Sequence, residues 1–95
     1  MAVIGVITLE MRLDSSHSLK DKRHFVRGLK DRLRSRHNVA VAEIGYQDLW
    51  QRGLLAAVTV SSSRDRAQQV LQSVEKEAVA TLGPLLVEAT TEWLE

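Results

Sequence analysis

Apolar and polar side chains alternate from the start of the chain. Over residues 3–13, Val3, Ile7, Leu9, Met11 and Leu13 fall on one side and Ile4, Val6, Thr8, Glu10 and Arg12 on the other, which predicts a strand. The first half of that strand is apolar on both sides. The period then changes. At 100° per residue, Phe25, Leu29, Leu33, Val26 and Leu19 fall within an arc of about 120°, wide enough for one helix face to meet a core. Ser18 is the expected N-cap, because its hydroxyl can accept the free backbone N–H three residues on, and Asp21 completes a reciprocal capping box. Gly28 in mid-helix costs about 1 kcal/mol relative to Ala, so a neighbouring element is expected to approach its backbone closely.

Residues 39–46 and 53–61 are β-branched or apolar runs separated by a polar tip with Gln47, Asp48 and Gln51, the pattern of a hairpin. Ser62 with Asp65 offers a second capping box. Ala67, Val70, Leu71, Val74, Ala78 and Leu82 recur at helical spacing until Gly83 and Pro84 end the run. Residues 85–94 are strand-like through Val87, Thr90, Thr91 and Trp93. The order β-α-β-β-α-β is the split βαβ pattern of α+β ferredoxin-like domains, four antiparallel strands with two helices on one face. At 95 residues the chain is expected to be a single domain over 1–95, with a small core. This fold hosts unrelated activities, so function has to come from sites.

Charge changes the picture most. Residues 16–37 carry Lys20, Lys22, Arg23, Arg27, Lys30, Arg32, Arg34 and Arg36 against Asp21 and Asp31, a formal +6 in a chain of net +1, which leaves −5 for the rest. On the helix, Lys20, Arg23, Arg27, Lys30 and Arg34 form one ridge, about 140° to 220° from Phe25. With no cysteine there is no disulfide framework or thiolate metal site, in keeping with a reducing, cytoplasmic setting. The apolar run at residues 3–9 is too short to span a bilayer, so no membrane association is expected.

Three constellations carry candidate chemistry. The first is the helix start, where Ser18, Lys20, Lys22 and Arg23 surround free N–H groups and the positive dipole end, as an anion site requires; Asp21 works against it. The glycine-rich phosphate loop of acylphosphatases, which share the fold, has no counterpart at residues 13–18. The second is Ser16, His17 and Ser18, a nucleophile and base only superficially, since no orienting group or oxyanion site accompanies them. With His24 seven residues beyond His17 and no placed third ligand, a zinc site is not expected either. The third is the hairpin tip, where Tyr46, Leu49 and Trp50 stand beside Arg52. Trp50 and Arg52 suit a partner contact, and the competing expectation, favoured here, is that Leu49 and Trp50 fold back, packing inward onto the second helix or covering a sheet edge.

The run Ser16-His17-Ser18-Leu19-Lys20-Asp21-Lys22-Arg23, then Asp31-Arg32-Leu33-Arg34, Asn38-Val39, Ala42-Glu43 and Gln47-Asp48-Leu49-Trp50-Gln51-Arg52 together resemble the bacterial YlxP-like family. The resemblance spans almost the whole chain. It implies a small cytoplasmic ferredoxin-like protein, often encoded near genes for translation initiation and ribosome maturation, with no established reaction.

The expectation is a non-enzymatic, cytosolic RNA- or ribosome-associated protein, with no cofactor, catalytic residue or metal ligand. It would contact phosphate backbone through Ser18, Lys20, Lys22, Arg23, Arg27, Lys30 and Arg34. The segment Arg52-Gly53-Leu54-Leu55-Ala56-Ala57-Val58 lacks the aromatics with which an RNA-recognition motif stacks bases. The alternative is a homo-oligomeric interaction module, a homodimer through the open sheet face, since the first and third strands are apolar on both sides. An enzyme acting on a phosphorylated small molecule comes third.

Overall fold

The computed structural model describes residues 1–94. Strand β1 (Val3–Arg12) leads into helix α1 (Leu19–Arg36), the hairpin of β2 (Ala40–Gly45) and β3 (Arg52–Ser61), helix α2 (Arg64–Leu82), a 3-10 turn (Gly83–Leu85) and β4 (Leu86–Leu94). The sheet order is β2-β3-β1-β4, antiparallel throughout, the ferredoxin-like arrangement expected from the hydrophobic pattern. The two long strands pair in the centre along their whole length, from Val3 opposite Ser61 to Arg12 opposite Arg52.

Because side chains alternate across a strand, β1 sends Ile7, Leu9 and Met11 beneath the helices, all fully buried, and Leu55 and Ala57 of β3 join them. Val26, Leu29 and Leu33 of α1 and Leu71, Val74, Ala78 and Leu82 of α2 close the core from above. Helix α1 lies over β2, whereas α2 lies over β1, β3 and β4. Gly5 is required where it stands: a Cβ there would come within 2.7 Å of the Trp93 ring and 2.8 Å of Leu71.

Three local expectations are corrected. Gly28 meets nothing, since a Cβ at that position would find no atom within 4 Å, so its cost reflects no close packing. The cap of α2 is Ser63, not Ser62. Its hydroxyl accepts from the Arg66 N–H at 3.3 Å, which moves Asp65 into the first turn as a charge facing the positive helix end. Trp50 does not fold back onto the core: it is 45% exposed and its neighbour Leu49 46%, at the tip of the hairpin.

Candidate nucleic-acid interface

Ser18 caps α1 as its residue type predicts, accepting from the Asp21 N–H at 3.1 Å. The return bond runs from the His17 N–H to Asp21 Oδ2 at 3.1 Å. A serine and a carboxylate therefore already serve this helix start, and Ser18 leaves the set of candidate anion contacts. Ser16 is buried and its carbonyl accepts from the Gln51 side-chain amide at 3.2 Å, so the three residues 16–18 are loop and cap.

Lys22 is the largest correction to the candidate set. It is 1% exposed, lying on the core-facing arc of α1 with Val26, Leu29 and Leu33. Its ammonium donates to the Tyr46 carbonyl and stands 3.0 Å from Glu43 Oε2, an electrostatic contact not aligned as a hydrogen bond. Burying a lysine is tolerable only with such partners, since an unpaired charge in a core costs several kcal/mol. Tyr46 has a positive φ of 59°, a strained conformation for a bulky residue, and its carbonyl also accepts from the Leu49 N–H at 3.0 Å. Lys22 thus pins the hairpin tip to α1 and cannot reach a phosphate.

The remaining cations divide between two flanks. On the flank facing α2, Arg32 donates to Thr81 Oγ1 at 3.5 Å and Arg36 reaches Glu77 Oε2 at 3.3 Å, while His37 Nε2, just past the helix end, lies 2.7 Å from Glu77 Oε1. The opposite flank looks outward above β2, and it is the ridge found from spacing. Lys20, Arg23, Arg27 and Arg34 are exposed and Lys30 is half-buried. Arg34 pairs with Asp31 at 2.8 Å. Among the described residues no hydrogen bond or ion pair engages Lys20, Arg23, Arg27 or Lys30. Lys20, Arg23, His24 and Arg27 line a shallow groove of about 270 Å³.

At the hairpin, Arg52 stacks over the Tyr46 ring at 4.4 Å and pairs with Glu10 across the β1–β3 ladder. Both contacts are internal to the protein, so Arg52 is held in place while Trp50 projects. The sheet surface away from the helices carries Leu54, Ala56, Val58 and Val60 along β3, which is aliphatic and offers no base a stacking partner. Among the described residues no group of three or more His, Cys, Asp or Glu side chains is placed to hold a metal ion, and no helix is long and apolar enough to cross a membrane.

Known structures place the fold and leave the activity open. A dimeric ferredoxin-like protein of unknown function from Thermobifida fusca superposes with a TM-score of 0.57 at 17% identity, covering 98% of this chain and 90% of that one. A putative antibiotic biosynthesis monooxygenase from Nitrosomonas europaea gives 0.55 at 9% identity, covering 98% and 88%. At such identities these likenesses show architecture alone. Sequence relatives are closer: an uncharacterized protein of Bacillus subtilis (strain 168), YlxP, is 39% identical over 72 residues, 76% of this chain and 78% of its own. The profile described as "Protein of unknown function (DUF503)" matches residues 4–90, and the chain therefore belongs to that family, the YlxP-like proteins.

Proposed function

We infer that this protein is a small cytosolic RNA- or ribosome-associated binding protein whose outer α1 flank contacts phosphate backbone. One observation carries the reading: Lys20, Arg23, Arg27 and Lys30 stand in a row with no acidic partner among the described residues, although on the neighbouring flank Arg36 pairs with Glu77 and Arg32 donates to Thr81. Like charges three and four residues apart on a helix repel by a few tenths of a kcal/mol per pair, and a polyanion offsets that repulsion.

Length distinguishes a polymer from a small ligand. From Lys20 to Arg34 the row extends about 21 Å along the helix axis, room for several phosphates. Sites for small molecules enclose most of the ligand surface, whereas this groove is shallow. That contrast favours backbone contact over an enzyme acting on a phosphorylated metabolite. Contacts of this kind set affinity through counterion release and read little sequence. The alternative reading, a self-associating module, draws on the sheet face opposite the helices, and the two are compatible because they occupy different sides of the domain.

The test is a titration of duplex RNA and of ribosomal RNA with wild type and with the double variant Arg27→Glu, Lys30→Glu, with circular dichroism as the folding control. The reading expects binding by wild type and its loss in a folded double variant. Equal affinities, or no binding by wild type at low salt, would remove it.

A further inference from the structure

The helices cover one face of the sheet only. On the other, Ile4 of β1 lies between Val60 and Leu94 and Val6 between Val58 and Glu92, so apolar neighbours run along β1 and β3 while the face turns polar toward β4. Val58 is 36% exposed, Val60 58% and Leu94 62%. Edge strand β2 adds Ile44, 52% exposed. A contiguous aliphatic surface of this kind, left in water, is unusual for a monomer.

We propose that a second copy of this chain covers this face, the two sheets packing against each other about a two-fold axis. Three features select that occupant. The first is shape. The residues are short and aliphatic, the surface is a twisted sheet of low relief, and two sheets of the same twist stack with their strands within about 30° of each other, about 10 Å apart.

The second is charge. The polar end of the face carries Glu10 already paired with Arg52, and β4 adds Glu88 and Glu92. The same face also carries Arg12, so Glu10, Glu88 and Glu92 stand against two guanidiniums for a formal −1; two copies meet there with little net repulsion, whereas contact through their α1 flanks would oppose two rows of cations. The third is area. Ten-residue strands β1 and β3 with their two neighbours project to about 550 Å² at standard strand spacings, and side-chain relief raises the accessible area toward the roughly 800 Å² per partner of a standard interface. An isologous contact also satisfies both copies at once and closes the assembly at two. The proposal is independent of the phosphate-binding reading and leaves both α1 flanks free.

The experiment is sedimentation equilibrium of the full chain across micromolar concentrations, comparing wild type with the double variant Val58→Thr, Val60→Thr and with Val79→Thr as a control. Val79 is 52% exposed on α2, away from the face. Threonine keeps the β-branched shape that a strand favours but buries an unpaired hydroxyl at the contact, which should weaken association roughly a hundredfold. Should that double variant fail to fold, Val60→Lys serves in its place, its side chain being more than half in solvent in the single chain.

Wild type is expected at twice the chain mass, the face variant at the monomer mass with an unchanged circular dichroism spectrum, and the control at the dimer mass. A wild type that is monomeric throughout overturns the proposal. So does a folded face variant that remains dimeric, a control that dissociates, or a wild type that assembles beyond two.

Discussion

Toward α2, helix α1 presents Arg32, Arg36 and the terminal His37, and each meets an oxygen of the neighbouring helix, at Thr81 or Glu77. Away from α2, above the edge of the sheet, Lys20, Arg23, Arg27 and Lys30 meet none. The same residue types on one helix thus serve two ends. One flank fastens two helices together, and the other concentrates positive charge where neighbours are absent. A count of charges treats these flanks alike, and only the placement of α2 separates them.

The comparison is most strongly tested at Lys22, two residues from Lys20 and opposite to it in role. Lys22→Ala leaves the Glu43 carboxylate without its cation and the Tyr46 turn without its anchor, and removing one member of a buried pair costs about 3 to 5 kcal/mol. Lys20→Ala at an exposed position should change stability by less than about 0.5 kcal/mol. Urea denaturation of the two variants measures the contrast, and similar midpoints would mean that Lys22 is not the structural cation described here.

A smaller effect is expected from Glu77→Gln, which removes the carboxylate shared by Arg36 and His37. The loss should be about 1 kcal/mol, since hydrogen bonds can persist to the amide and Arg36 is largely in solvent. It also frees inner-flank charge, so RNA affinity should rise slightly; a fall would show that the outer flank does not act alone. Gly28, on the solvent-facing line between the flanks, offers the opposite sign. Gly28→Ala should raise stability by about 0.5 to 1 kcal/mol, because the added methyl meets no atom within 4 Å and helix propensity improves. Trp50→Ala should lower stability by under about 1 kcal/mol, its ring being almost half exposed. A loss of 3 to 5 kcal/mol would return Trp50 to the core.

These residues also show what was legible beforehand. Element order followed from the change between strand-like runs and helical spacing, even though β1 and β3 are apolar on both sides, and the ridge followed from the same 100° spacing. Lys22 was within reach of that method. It falls at about 60° on the wheel, between Leu29 and Val26, and a cation inside an apolar arc calls for a buried partner. Glu43, which alternates inward with Val41 on β2, was the candidate. The exposure of Trp50 was not accessible, since a short tip can fold either way and its direction is set by tertiary bonds. Gln51 reaches the Ser16 carbonyl, and the Leu13 N–H reaches the Gln51 carbonyl at 2.9 Å. Gly28 misled because a mid-helix glycine signals close packing only when another element arrives, and none does.

The central claim is that the outer flank of α1 forms a row of cations available to a phosphate backbone. The direct measurement is RNA affinity of the wild-type protein across a series of salt concentrations. Four unpartnered cations, with Arg34 able to exchange Asp31 for phosphate, predict a slope of log K against log salt of about −3 to −4.5, each contact contributing about 0.7 to 0.9. An affinity indifferent to salt, or no binding even at the lowest concentration, would contradict it.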